Sequence, residues 1–148
     1  MNRRTASLAL AAALTAGPTL AKERAPMPRR PINPTGTGYA QAHLVTGAQR
    51  LLFISGQIPA GEDGQVPPDF KDQARLVWRN IERQLAAAGM TFADLVKFTV
   101  FLSDRRWRQA NYEVRQEVLG DIAPAMTIII AGIYDEAWLL EIEAIAAA

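Results

Sequence analysis

The sequence contains no cysteine and a single histidine, His43. Without cysteine there can be no disulfide, no thiolate metal site and no cysteine nucleophile. One histidine cannot build a zinc centre from several imidazoles, and the acids show no clustered spacing of a carboxylate metal site. No metal or other cofactor is therefore expected. Excess charge of either sign is missing as well. Sixteen basic residues face 15 acidic ones, a formal net charge of +1, so composition gives no reason to expect a nucleic-acid partner. Long apolar runs are scarce. The one at the N-terminus, Ser7 to Thr15, is too short to span a bilayer as a permanent anchor. What is present is 148 residues, 49% of them hydrophobic, which suits one domain with a substantial core.

Residues 1–21 have the pattern of an export signal. Asn2-Arg3-Arg4 is a positive start, the run from Ser7 to Thr15 is rich in Ala and Leu, and Thr19-Leu20-Ala21 ends in the small residue that cleavage requires. Arg3-Arg4 leaves the export route open. Removal of this segment takes two arginines and no acids, leaving a slightly negative mature chain destined for the periplasm or for secretion. An exported chain without cross-links must be stable through its core or by oligomerisation. Residues 22–34 are polar and carry Pro26, Pro28, Pro31 and Pro34. They read as a linker or irregular arm, because proline cannot donate to a ladder. Residues 35–148 are then the folded domain.

Within that domain the periodicity changes type several times. Gly36 to Val45 alternates weakly, with Tyr39, Gln41 and His43 on one face, and forms a first strand. Gly47-Ala48-Gln49-Arg50 turns into a second strand, Leu51–Ser55, at a spacing that predicts a hairpin. Pro67-Pro68-Asp69 opens a helix with Asp69 as N-cap. Phe70, Ala74, Val77, Ile81, Leu85 and Ala88 form its apolar stripe, and Gly89 supplies the left-handed residue that ends it. Leu95–Leu102 alternates as a third strand, with Val96, Phe98, Val100 and Leu102 on one face. Ser103-Asp104 caps a second helix, about Arg106 to Leu119, ended by Gly120. Trp107, Ala110, Val114 and Val118 line its apolar side with Asn111 beside them.

The C-terminal stretch holds two more strands, Thr127–Ala131 and Leu139–Ala146. In the second, Glu141 and Glu143 share a face while Leu140, Ile142 and Ala144 take the other. Carboxylates in an apolar strand need a wet face or a pocket. The order β-β-α-β-α-β-β predicts an α+β fold with both helices on one face of a mixed sheet.

A set of short motifs in fixed order then resembles the RidA/YjgF family. They are Ile54-Ser55-Gly56-Gln57-Ile58-Pro59, Gly64-Gln65-Val66-Pro67, Gln73-Ala74-Arg75, Ala87-Ala88-Gly89, the run Asp94 to Leu102, and Glu141-Ile142-Glu143-Ala144-Ile145-Ala146. The resemblance runs from about Tyr39 to Ala146. It implies a chorismate-mutase-like α+β fold and a homotrimer with a pocket at each subunit interface. In active members that pocket hydrolyses reactive 2-imino acids to 2-keto acids and ammonia. Carried onto this sequence, the resemblance makes Glu141 the residue that orients the attacking water. It makes Tyr39, Ser55, Gly56 and Asn111 ligand-lining residues, together with the segment Met126, Thr127 and Ile128.

One departure stands out. The arginine that holds the substrate carboxylate in that family falls on Met126, and Ile128 takes the place of a cysteine or small residue. Methionine has neither charge nor donor and cannot clamp a carboxylate. The resemblance thus implies the fold and an arginine-lacking subgroup, with a ligand other than the usual 2-imino acid unless another arginine, such as Arg115, takes over. Two readings follow: a hydrolase of imines or related small metabolites, and a non-catalytic trimeric module that binds small molecules or protects proteins. The ribonuclease label borne by this family needs a basic groove and acid–base groups, for which a near-neutral chain with one histidine is poorly equipped. His43 reads as a surface residue, Glu143 as structural, and Trp78, Trp107 and Trp138 as packing residues. Arg105, Arg106 and Arg108 read as a solvated helix start.

Overall fold

The computed structural model describes residues 29–148; residues 1–21, where an export signal is expected, and residues 22–28 lie outside them. Six strands and two α-helices follow in the order β1 (Arg29–Pro34), β2 (Ala40–Val45), β3 (Leu51–Gln57), α1 (Phe70–Ala87), β4 (Leu95–Leu102), α2 (Arg108–Leu119), β5 (Ala125–Ile130) and β6 (Leu140–Ala147). The strands form one mixed sheet in the order β1-β2-β5-β4-β6-β3. The α+β class and the succession of elements from β2 onward match the expectation.

Two local expectations fail. Arg29–Pro34 is not an irregular arm but an edge strand, antiparallel to β2 with Pro31 opposite His43. Proline is tolerated there because an edge strand leaves one row of backbone groups without a ladder. The hairpin between β2 and β3 does not form either. β2 pairs with β1 and bridges β5 at Ala40 and Ala125, whereas β3 pairs with β6. The turn is tied to the C-terminus instead, the amides of Gln49 and Arg50 both donating to the Ala148 carbonyl. Alternation showed that both segments are strands but carried no information on which partner each would take.

Both helices belong to the same core. α1 starts at Asp69, whose carboxylate accepts from the amides of Lys71 and Asp72, and ends before Gly89 at φ +64°. Phe70, Ala74, Val77, Trp78, Ile81 and Leu85 are buried and pack with Phe98, Val100 and Leu102 of β4, Leu140, Ile142 and Ala144 of β6, and Val114 and Leu119 of α2. Trp78 meets Phe98 edge-on, with ring centroids 5.4 Å apart, and Phe70 stacks on Trp107 at 5.0 Å. Each such side chain contributes about 1.5–3 kcal/mol by burial.

Polar residues of α1 place the segments around the sheet. Asn80 Nδ2 donates to the carbonyls of Ile58 and Ala60, fixing the chain that leaves β3. Buried Gln73 donates to the carbonyls of Pro67 and Ala137 and accepts from the Leu139 amide, fixing the chain that enters β6. α2 is held alongside by ion pairs from Arg75 to Glu117 and from Lys71 to Glu113.

Among the described residues, no helix lies on the other sheet face. By strand alternation it carries Leu51 and Phe53 of β3, Lys97, Thr99 and Phe101 of β4, Thr127 and Ile129 of β5, and Glu141, Glu143 and Ile145 of β6. Phe53 is 72% exposed, and Leu51 and Ile129 are also exposed.

Candidate functional site

The predicted site residues fall into two groups. The first lies on the helix-covered side, between α2 and β5. There a cleft of about 670 Å³ is lined by Thr37, Arg105, Arg106, Arg108, Asn111, Arg115, Met126 and Ile128, with Gln109 and Tyr112. Met126 and Ile128 point this way because they pair with Phe98 and Val100, whose side chains enter the core. Asn111 and Arg115 stand one helical turn apart and therefore project on one face of α2. Their environment is dry: Asn111 is 1% exposed and Arg115 3%. Three further arginines, 105, 106 and 108, sit exposed around the rim, so the expected solvated helix start also borders a cleft.

Arg115 is the residue that sequence reasoning left open. Its Nη1 points at Met126 Sδ at 2.6 Å, its Nη2 donates to the Thr37 carbonyl at 3.1 Å, and its Nε has no acceptor. The guanidinium also lies 5.3 Å over the Tyr112 ring. Burial lowers its pKa, partly offset by the Tyr112 and Tyr39 hydroxyls; arginine remains protonated regardless. Tyr39 thus stands near the guanidinium, although it does not line the cleft. The signal for Arg115 was its place in the helix: four residues after Asn111 and next to Val114 on the buried side.

The second group lies at the other edge of the sheet. Glu141 projects from β6 opposite Phe101 of β4 and reaches across to β3, where its carboxylate lies against Gly56. A Cβ built on Gly56 would fall 1.7 Å from Glu141 Oε1, so the close approach depends on glycine. The β3–β6 register shifts between Ile54 and Gln57, a bulge that carries Ser55 and Gly56. Among the described residues no ion pair holds Glu141. Thr127 belongs to neither group; it accepts from Lys97 Nζ at 2.5 Å on the uncovered face. Desolvation lowers the Lys97 pKa, and Glu143 nearby opposes that shift. β5 and β6 are separated by β4, about 10 Å by strand spacing, and the two groups project from opposite faces.

His43 is half-buried rather than on the surface: its Nε2 is bonded to the Ala123 carbonyl at 2.8 Å, ahead of β5. Among the described residues, no three of His, Cys, Asp and Glu are grouped to hold a metal, and no helix is long and apolar enough to cross a membrane.

This sheet, with two helices on one face and these motifs along it, defines a RidA-type α+β domain. The family described as Endoribonuclease L-PSP matches residues 32–148, and the chain belongs to this family, also known as RidA/YjgF. It is 40% identical over 119 residues to a RutC family protein of Pyrococcus horikoshii, covering 79% of this chain and 89% of that protein. The structure of YyfB, a Rid-family protein of unknown function from Yersinia pestis, aligns with a TM-score of 0.72 at 26% identity, over 82% of this chain and all of that one. TdcF of Escherichia coli, a candidate reactive intermediate deaminase, is 44% identical over 55 residues, 36% of this chain and 43% of that protein. Its structure with bound serine aligns with a TM-score of 0.64 at 32% identity, over 74% of this chain and 87% of that one.

Proposed function

We propose that the protein hydrolyses imines or enamines of small metabolites to a carbonyl compound and ammonia, in clefts completed between copies of a homotrimer. Kinship with a candidate reactive intermediate deaminase supports the reaction class. The observation that carries the assembly is the division of the site. Asn111, Met126 and Ile128 line one cleft, while Ser55, Gly56 and Glu141 lie at the other edge of the sheet and beyond β4. A small imine cannot touch both sets on one chain. A second copy presenting its Glu141 edge to the first copy's cleft brings them together. The uncovered apolar face with Phe53, Leu51 and Ile129 is the surface such an assembly would bury.

In the reaction, water adds to the C=N carbon while nitrogen takes up a proton. The resulting carbinolamine then loses ammonia as the C–N bond breaks and the carbonyl forms. Glu141 holds the attacking water and accepts its proton. Its carboxylate lies against Gly56, where any larger side chain would displace it, and among the described residues no ion pair holds it. The N-terminal pattern of residues 1–21 supports export, with the mature protein working in the periplasm or outside the cell.

Met126 favours a second reading. With the strand arginine absent, the same clefts would bind a small molecule without turning it over. Ammonia release from freshly generated 2-iminobutanoate separates the two. Acceleration by the mature protein, lost in Glu141→Gln, supports hydrolysis; no acceleration over the uncatalysed rate by either protein leaves the binding module.

A further inference from the structure

We infer that Arg115 and Asn111 form a carboxylate-binding site at the floor of the α2–β5 cleft, and that Met126 occupies it until a ligand displaces it. The inference rests on the hydrolase reading for its ligand class, a small 2-oxo or 2-imino acid. Its physical basis is separate from that reading.

Buried polar groups nearly always have partners. Here two donors at one place lack them, Asn111 Nδ2 and Arg115 Nε. Both residues are more than nine-tenths buried and both line the cleft. Among the described residues the cation has no acid: its acceptors there are the Thr37 carbonyl and the Met126 sulfur. An orphan amide donor beside a buried guanidinium whose own Nε is unpaired, and which has a ring but no acid against it, is complementary to one kind of group, an anion with two acceptor oxygens. A planar carboxylate matches the guanidinium fork.

Met126 explains how the site persists without a ligand. A thioether is a weak acceptor, so Arg115 gains little from it compared with a carboxylate. The methionine side chain is unbranched and flexible, and its position is half-buried at the cleft wall. It can swing aside and expose the fork. The rim arginines 105 and 108, with Arg106 partly neutralised by Asp104, attract anions toward the mouth, and among the described residues no acid lines the cleft. The carboxylate anchor would then stand on the helix, while the strand position that faces it carries a side chain that yields. On this account a 2-imino acid is again an acceptable substrate, despite Met126.

The test is calorimetric binding of 2-oxobutanoate and of its neutral amide, 2-oxobutanamide, to the wild-type protein and to Arg115→Lys, Met126→Ala and Glu141→Gln. Saturable binding of the acid is expected, at least tenfold tighter than of the amide. Arg115→Lys keeps the charge but loses the fork and should weaken binding tenfold or more. Met126→Ala removes the plug and should tighten it several-fold. Equal binding of acid and amide, or unchanged affinity in Arg115→Lys, overturns the inference. If Arg115→Lys does not fold, judged by its thermal unfolding, Met126→Ala decides alone: tighter binding supports the site, while equal or weaker binding refutes it. Glu141→Gln keeps the two readings apart. If it binds like wild type and neither turns over 2-iminobutanoate, the anion site stands and the hydrolase falls. If wild type turns over and Arg115→Lys does so with unchanged KM, the hydrolase stands and the anion site falls.

Discussion

Replacing Gly56 by alanine separates the position of Glu141 from the stability of the fold. The added Cβ would lie 1.7 Å from Glu141 Oε1, 2.7 Å from Cδ and 3.0 Å from Cγ. No adjustment of a few tenths of an ångström relieves that overlap, so the carboxylate must swing out of place. The atoms that move are the end of a flexible side chain, and Gly56 is not among the glycines with positive φ. Alanine therefore fits the backbone, and unfolding stability should change by less than about 1 kcal/mol, the usual scale of Gly-to-Ala effects. Catalysis should respond differently. A displacement of about 1 Å in a catalytic group costs on the order of 100-fold, equivalent to about 2.7 kcal/mol of barrier. The assay is initial ammonia release from 2-iminobutanoate by wild type, Gly56→Ala and Glu141→Gln, with urea unfolding of each. The expected pattern is a loss near 100-fold in Gly56→Ala, approaching that of Glu141→Gln, at nearly wild-type stability. If Gly56→Ala keeps its rate within threefold, the contact with Gly56 does not position a catalytic carboxylate; if Glu141→Gln keeps it as well, the role of Glu141 is refuted.

Two further predictions concern the fold and its assembly. Arg75 makes a two-pronged contact with Glu117, Nε to Oε1 and Nη2 to Oε2, both at 3.0 Å. Hydrogen bonding to Arg75, followed by its charge, lowers the Glu117 pKa below the ordinary 4.5. A carboxylate with a lowered folded pKa stabilises the protein above its unfolded pKa and loses that contribution as pH falls through the folded value. The Tm gap between wild type and Glu117→Gln should therefore be largest near pH 7, shrink below about pH 4.5, and narrow in high salt; a gap constant across pH would contradict the sign. Phe53→Asp places a charge on the uncovered sheet face and should convert a trimer to monomers in analytical ultracentrifugation, with Trp fluorescence unchanged. A variant that sediments like wild type would show that this face is not the seam.

The sequence spelled out its elements more clearly than their neighbours. Asp69, Gly89 and Gly120 mark the ends of α1 and α2 by local chemistry, as expected, whereas Asp104 caps a 3₁₀ turn, Arg105–Trp107, and α2 itself begins only at Arg108 without a side-chain cap. The alternation of Leu95–Leu102 named the buried face of β4 correctly, because side-chain direction in a strand is a local property. Strand partners are not local. Nothing between Val45 and Leu51 indicated that β3 would pair with β6, or that a proline-bearing segment would close the sheet as β1. The same division holds for the site. Motif likeness singled out Glu141, Gly56, Asn111 and Met126 as candidates, but the meeting of Arg115 with Met126 depends on how α2 lies along β5, which only packing determines.

That meeting bears on how the fold and the ligand site constrain each other. Phe98 opposes Met126 on β4 and packs against Trp78, so the backbone at position 126 is held by the centre of the core. Its side chain, at the edge of that core, is free to vary. An arginine at 126 would bring a second guanidinium against that of Arg115 in a dry cleft without a nearby acid, a costly arrangement. The two positions are therefore coupled: one cation fits between α2 and β5, and it can stand on the helix or on the strand. Met126→Arg in the wild-type background should thus destabilise the protein. The exchange Arg115→Met with Met126→Arg should recover most of that loss, because it again leaves one guanidinium facing one thioether. Urea unfolding of the two single variants and the double variant closes the cycle. Additive effects would mean that the two side chains do not sense each other, and that Met126 is merely an apolar wall of the cleft.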